Sequence, residues 1–145
     1  MTINDCVFCE IITGRGEASV VYRDERCIAV MDICPINAGH VLVIPLHHAR
    51  DLAELETGSG GALFETARRI AAGIRRSGLN PDGINLLLAD GEAAGQEVFH
   101  VHLHVLPRFR GDGFGHKFPP HYGHRPPRKE LDSVAATIRV ALGAA

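Results

Sequence analysis

No stretch of this sequence approaches the roughly 20 consecutive apolar residues that a membrane-crossing helix needs. There is no excess of charge of one sign either. Fifteen Lys and Arg stand against seventeen Asp and Glu, a formal charge of −2. Such a balance gives no global pull toward nucleic acid or an anionic membrane, so neither is expected as a partner. Internal repeats and low-complexity tracts are absent. The opening residues, Met1-Thr2-Ile3-Asn4-Asp5-Cys6, lack the basic and apolar regions of a secretory signal, which makes the cytoplasm the expected compartment. What remains is the mixture of an ordinary globular domain, 46% hydrophobic and 22% charged over 145 residues. A chain of that size buries roughly 70% of its unfolded surface and can build one core.

Cysteine and histidine are unusual in placement. The four cysteines lie at 6, 9, 27 and 34. In a reducing compartment a Cys-x-x-Cys pair is more often a metal or redox site than a disulfide. Of nine histidines, six fall in two groups: His40, His47 and His48, then His100, His102 and His104.

Strands are expected over Ser19–Arg23 and Cys27–Met31, with a turn at Asp24-Glu25, and over Val41–Ile44, stopped by Pro45. The middle of the chain reads as helical. Asp51 is placed to cap a short turn through Leu55, and Gly58 to Gly61 interrupts the helical region. Leu63, Ala67, Ile70 and Ile74 then mark one face of a helix that Gly78 ends as a left-handed cap. The arginines at 68, 69, 75 and 76 are read as its solvated face. Ile84–Ala89 is an apolar run, and residues 90–97 form a Gly-bearing loop. Residues 108–129 carry six Lys or Arg against one acid, with four of the eight prolines. They read as a locally basic, irregular extension before a helix over Lys129–Leu142. Arg108, Arg110 or Lys117 is a candidate for distal phosphates of a long substrate, although a solubilising loop or dimer arm is the plainer reading.

Phe99 to Leu106 alternates strictly. On a strand this puts His100, His102 and His104 on one face, about 7 Å apart, with Val101, Leu103 and Val105 facing the core. A wet sheet face accounts for this poorly. Three histidines on one straight strand are too spread for one tetrahedral ion, although two of them fit. Imidazole as nucleophile and acid suits groups that titrate near neutrality.

The segment Gln96-Glu97-Val98-Phe99-His100-Val101-His102-Leu103-His104-Val105-Leu106 resembles the signature of the histidine triad (HIT) family. Gly39-His40-Val41-Leu42-Val43-Ile44-Pro45 and Met31-Asp32-Ile33-Cys34-Pro35 are similar to other segments of that family, and the resemblance spans about residues 5–112. It implies an α+β HIT-like fold, an antiparallel sheet of about five strands with one long helix, and a two-fold homodimer. The implied domains are 1–112, the HIT domain, and 113–145, a basic Pro-rich extension with a C-terminal helix packed on it. The implied activity is hydrolysis at the α-phosphorus of a purine nucleotide derivative, either a phosphoramidate or a dinucleoside polyphosphate. His102 is the implied nucleophile, His104 assists the leaving side and His40 supports the site. Asp32 would accept hydrogen bonds from the ribose, beside Ile33. Gly95, Gln96 and Glu97 would meet the phosphate through a backbone amide. Several relatives carry Ser at Glu97 and Asn or Gln at Ala89. A carboxylate repels phosphate, so Glu97 is expected to point its side chain elsewhere or to contribute only its backbone.

Cys6 and Cys9 read as a redox pair without the usual βαβ start, as two unrelated thiols, or as half of a structural zinc site. Some HIT relatives pair such cysteines with two histidines, which implies Cys6, Cys9, His48 and His100 as zinc ligands, with His47 the competitor of His48. No organic cofactor is implied. Two rival classes are a purine-nucleotide-binding module with little turnover and a zinc protein that uses both histidine groups structurally.

Overall fold

The computed structural model describes residues 6–143. Residues 1–5, which carry most of the signal-peptide expectation and the start of the expected first domain, lie outside the described residues, as do 144–145. The chain divides into two compact units, Met1–Phe114 and Gly115–Ala145. No helix among the described residues is long and apolar enough to cross a membrane.

The first unit holds helix α1 (Val7–Ile12), strands β1 (Val20–Arg23), β2 (Cys27–Met31) and β3 (Val41–Pro45), helix α2 (Ser59–Arg76), and strands β4 (Gly83–Leu87) and β5 (Leu103–Arg108). All strand pairs are antiparallel, in the order β1-β2-β3-β5-β4. The second unit carries helix α3 (Arg128–Ala141). The expected α+β sheet of about five strands is present.

Both faces of the sheet are covered, which is why β2 and β3 read as continuous apolar runs. Ala29, Val41, Val43, Leu103 and Val105 face α2 and pack with Leu63, Ala67, Ile70 and Ile74. Ile28, Val30, Leu42 and Ile44 face the other way and pack with Cys6, Phe8 and Cys9 of the N-terminal segment. Asp24 makes the β1–β2 turn, its Oδ1 accepting from the amides of Arg26 and Cys27. Asp51 Oδ1 accepts from Ala53 and Glu54.

Two expectations are corrected. The glycines at 58–61 do not interrupt the helix: α2 starts at Ser59, with Gly58 in the left-handed region at its N-cap. The histidine strand is shorter than its alternation suggests. β5 begins at Leu103, so His100 and His102 precede it. Their segment is held by other bonds, His100 N–H to Val98 O at 2.9 Å and Val101 N–H to Ala49 O at 2.8 Å. Helix α1 was not expected. Its signal, Val7, Phe8, Ile11 and Ile12 at helical spacing, is only one and a half turns long.

Candidate active site and metal centre

The hairpin loop between β2 and β3 supplies Asp32 and His40. Asp32 N–H donates to His40 O at 3.0 Å, the last rung of the hairpin. Gly39 makes the approach possible. Its φ is +87°, and a Cβ there would stand 2.7 Å from Leu79 Cδ1. His104 enters from β5, opposite Leu42. His102 and His100 come from the segment just before it.

Hydrogen bonds decide which nitrogen of each ring carries the proton. Ile36 N–H donates to His40 Nδ1 (3.2 Å), so the neutral ring is protonated at Nε2. That Nε2–H donates to His104 Nδ1 at 2.9 Å, with Asp32 Oδ2 3.6 Å from it. His104 therefore carries its own proton on Nε2. His102 Nδ1 donates to the backbone carbonyl of His100 at 2.7 Å, which leaves the lone pair on Nε2. Burial disfavours imidazolium throughout. It lowers the pKa of His40 and His102 and pushes His104 down to about 4.

These shifts fix a sign. Unfolded, His104 titrates near 6.5; folded, near 4. Between those values the unfolded chain binds more protons, so stability rises with pH. Melting temperature is expected to hold above pH 7 and to fall steadily from about pH 6.5 to 4. His104→Asn should flatten that slope. Thermal melts of both proteins across the window check it; an unchanged slope would remove His104 from the account.

His102 and His104 line a cleft of about 300 Å³. Val7, Phe8 and Ile11 of α1 form one wall, and Val30, Met31 and Ile33 another. Ile33 is 91% exposed, an apolar side chain with no part in the core. Asp32 Oδ1 accepts from Cys34 N–H at 2.8 Å, so one carboxylate oxygen shapes the turn while the other faces His40.

The structure places the residues of the 91–97 loop unequally. Gly95 and Gln96 do not line the cleft. Their amides are engaged with Glu92 O and Gly91 O, and the buried Gln96 side chain braces the loop, accepting from Gly91 N–H and donating to Arg50 O. Of the three amides considered for phosphate, Glu97 N–H is the one without a backbone partner among the described residues. Glu97 is among the residues that line the cleft with His102, and its charge acts to raise the His102 pKa against the larger effect of burial. Arg108 is not available to a substrate. It forms a bidentate pair with Asp112 (2.7 and 2.8 Å) and donates to Asn85. Arg110 is nearly fully exposed, its Nε 3.9 Å from Asp82 Oδ1.

Behind the cleft the structure brings Cys6, Cys9, His48 and His100 together, their ligand atoms all within 4.8 Å of one another. His47 is exposed beside Glu56 and outside this cluster. His100 Nε2 donates to Pro45 O at 2.9 Å, which turns the lone pair of Nδ1 toward both thiols (3.4 and 3.6 Å). His48 Nδ1 lies 3.4 Å from Cys9 Sγ and 3.2 Å from His100 Nδ1. A tetrahedral zinc with bonds near 2.3 Å to sulfur and 2.0–2.1 Å to nitrogen needs ligand separations of about 3.3–3.8 Å. Four of the six donor separations, 3.2–3.6 Å, are close to those such an ion needs, and all six lie within 4.8 Å, so the donor set is compatible with zinc. Without a metal, burial pushes Cys9 up to about 11 and His100 down to about 4.

The two sites share parts. The His100 ring points into the cysteine cluster while its carbonyl fixes the His102 tautomer. Phe8, between the two cysteines, packs edge-on against both rings at 5.9 and 5.0 Å. Phe8 was missed from the sequence because α1 was not recognised.

The family model for the HIT domain matches residues 13–111. The chain belongs to the HIT family. Its fold is that family's nucleotide-binding and hydrolase fold. This HIT protein is similar to the crystal structure of a HIT family protein from Bacillus anthracis, with 39% identity, a TM-score of 0.88, and 97% of this chain and 99% of that one covered. It is also similar to a zinc-bound histidine triad family protein from Mycobacterium smegmatis, with 38% identity, a TM-score of 0.75 and the same coverage. Among curated relatives, adenylylsulfatase HINT3 of Arabidopsis thaliana is 38% identical over 109 residues, covering 75% of this chain and 55% of that protein.

Proposed function

We propose that this HIT protein hydrolyses purine nucleotide derivatives at the α-phosphorus through a nucleotidyl-histidine intermediate. The observation that carries the reading is the 2.7 Å bond from His102 Nδ1 to the His100 carbonyl. It holds a neutral imidazole with its lone pair on Nε2, in a ring that lines an apolar cleft. His102 Nε2 attacks phosphorus and the bond to the leaving group breaks. His104 Nε2–H, oriented through His40, donates a hydrogen bond to the departing atom, which takes its proton from water. Water then attacks the same phosphorus and frees His102. Asp32 accepts from the ribose hydroxyls, Ile33 and the α1 wall cover the base, and the Glu97 amide holds a phosphate oxygen. The adenylylsulfatase relative supports the reaction class.

Cys6, Cys9, His48 and His100 would hold one structural zinc. The ion supplies no step of the reaction; it ties α1 to the segment that carries the nucleophile. A two-fold homodimer completes the proposal, carried by the family resemblance.

One observation favours a second reading, a nucleotide-binding module with little turnover. Glu97 lines the same cleft as His102, and its negative charge, felt at His102, opposes a phosphate there. Stopped-flow or quench assays with an adenosine phosphoramidate, a diadenosine polyphosphate and adenylyl sulfate separate the two. Turnover of any of them at rates typical of enzymes, about 1 s⁻¹ or faster, supports hydrolysis. Tight AMP binding with all three untouched supports the module.

A further inference from the structure

The cleft extends past the groups that would hold phosphate and ribose. His102 contacts Phe8, near the start of α1. Ile11, three residues further, lies about 4–5 Å along the helix axis and also lines the cleft. Beyond it the wall is completed by Glu17 and Ala18. A nucleotide with phosphorus at His102 and ribose at Asp32 therefore places its base between α1 and Ile33, its far edge toward residue 17.

The approach of that segment is built in. Gly16 lies so close to the end of α1 that a Cβ there would meet Ile11 N at 3.0 Å and the Glu10 carbonyl carbon at 3.2 Å. The nearby cation is occupied elsewhere, since Arg15 forms a bidentate pair with Glu10 at 2.9 and 2.7 Å. Glu17 itself makes no ion pair among the described residues. Glu17 thus brings to the cleft lining, beside the apolar Ile11 and Ala18, a carboxylate that no ion pair among the described residues engages.

We propose that Glu17 makes this cleft selective for guanine nucleotides. A carboxylate offers two acceptors and no donor. The Watson–Crick edge of guanine presents two adjacent donors, N1–H and the 2-amino group, and takes the carboxylate in the bidentate manner. Adenine presents one donor, its 6-amino group, beside the acceptor N1, which repels the second oxygen. Hypoxanthine keeps N1–H and lacks the 2-amino group, so it ranks between them. The inference rests on the proposed nucleotide chemistry and adds its base preference.

Calorimetric titration of the full-length protein with GMP, IMP and AMP at fixed ionic strength tests it. The three share one phosphate, so the effect of the Glu17 charge on phosphate cancels in their ratios. GMP is expected to bind about tenfold tighter than AMP, with IMP between, a modest factor because Glu17 is exposed at the mouth. In Glu17→Gln the amide can turn its NH₂ toward adenine N1 and its oxygen toward the 6-amino group, so the ratio should fall to about one or reverse. AMP binding as tightly as GMP in the wild type overturns the guanine inference and leaves the nucleotide reading standing. An unchanged ratio in a Glu17→Gln protein of wild-type melting temperature does the same. Failure of all three ligands to bind overturns both.

Discussion

His102→Ala is expected to reduce single-turnover hydrolysis by about a thousandfold or more while changing AMP affinity by less than about tenfold. The asymmetry follows from the division of labour in the cleft. In the proposed mechanism binding draws on the α1 wall, Ile33, Asp32 and the Glu97 amide, all part of the cleft lining and none removed by the substitution. Bond making at phosphorus depends on the lone pair of His102 Nε2, which the His100 carbonyl reserves for it. No neighbouring ring can replace it. The His104 nitrogen facing His40 is spent on that contact and its other nitrogen carries the proton, while the His100 lone pair points into the cysteine cluster. A wild-type reaction quenched early should yield protein carrying a nucleotidyl group on His102 by mass spectrometry, absent from the variant. If both proteins turn substrate over at the same rate, His102 is not the nucleophile. If both are inert yet bind AMP, the triad is a binding scaffold.

Cys9→Ser is expected to lower metal content from about one zinc per chain to near zero and the melting temperature by about 10 °C or more. Structural zinc in small domains is worth about 10–16 kcal/mol of apparent binding free energy. This domain also has a two-faced core, so only part of that loss should show as lost fold. A loss of about 3 kcal/mol already shifts melting by roughly 10 °C in a domain this size. The effect should be local as well as global. Helix α1 has only six residues, far too few to be helical by itself, and it stays folded through Phe8 and the two cysteines in the second core cluster. Amide exchange should therefore quicken first in residues 7–12 and then around His100. Wild-type protein purified without chelator and free of zinc, with a melting temperature unmoved by added zinc, would sink the metal proposal.

Much of this was legible in the residues themselves. The strands were readable because sheet faces buried against α1 and α2 demand uninterrupted Val, Ile and Leu, and α2 because Leu63, Ala67, Ile70 and Ile74 repeat at helical spacing. The set Cys6, Cys9, His48 and His100 came from resemblance, and the structure brings those four residues together. The 100–104 segment shows where pattern misleads. Its alternation does separate the aliphatic side from the imidazole side. Yet the chain enters β5 only at Leu103, because the amides before it bond to Val98 and Ala49 rather than to a neighbouring strand. Alternation records which side of the chain is apolar, not whether a partner strand lies alongside.

By itself, then, the sequence determined the strand segments, the apolar face of α2 and the alternation of the three histidines, because periodicity and side-chain chemistry are properties of the chain alone; the antiparallel five-stranded sheet is what the HIT resemblance implied. Tertiary structure decided which nitrogen of His40, His100, His102 and His104 carries a proton, that Glu97 rather than Gly95 or Gln96 has an amide without a backbone partner among the described residues, and that Glu17 lines the cleft. Each of these depends on one hydrogen bond or one close approach, some short in sequence, as between His102 and His100, and some long, as between His40 and His104, where a shift of a few tenths of an ångström changes the partner.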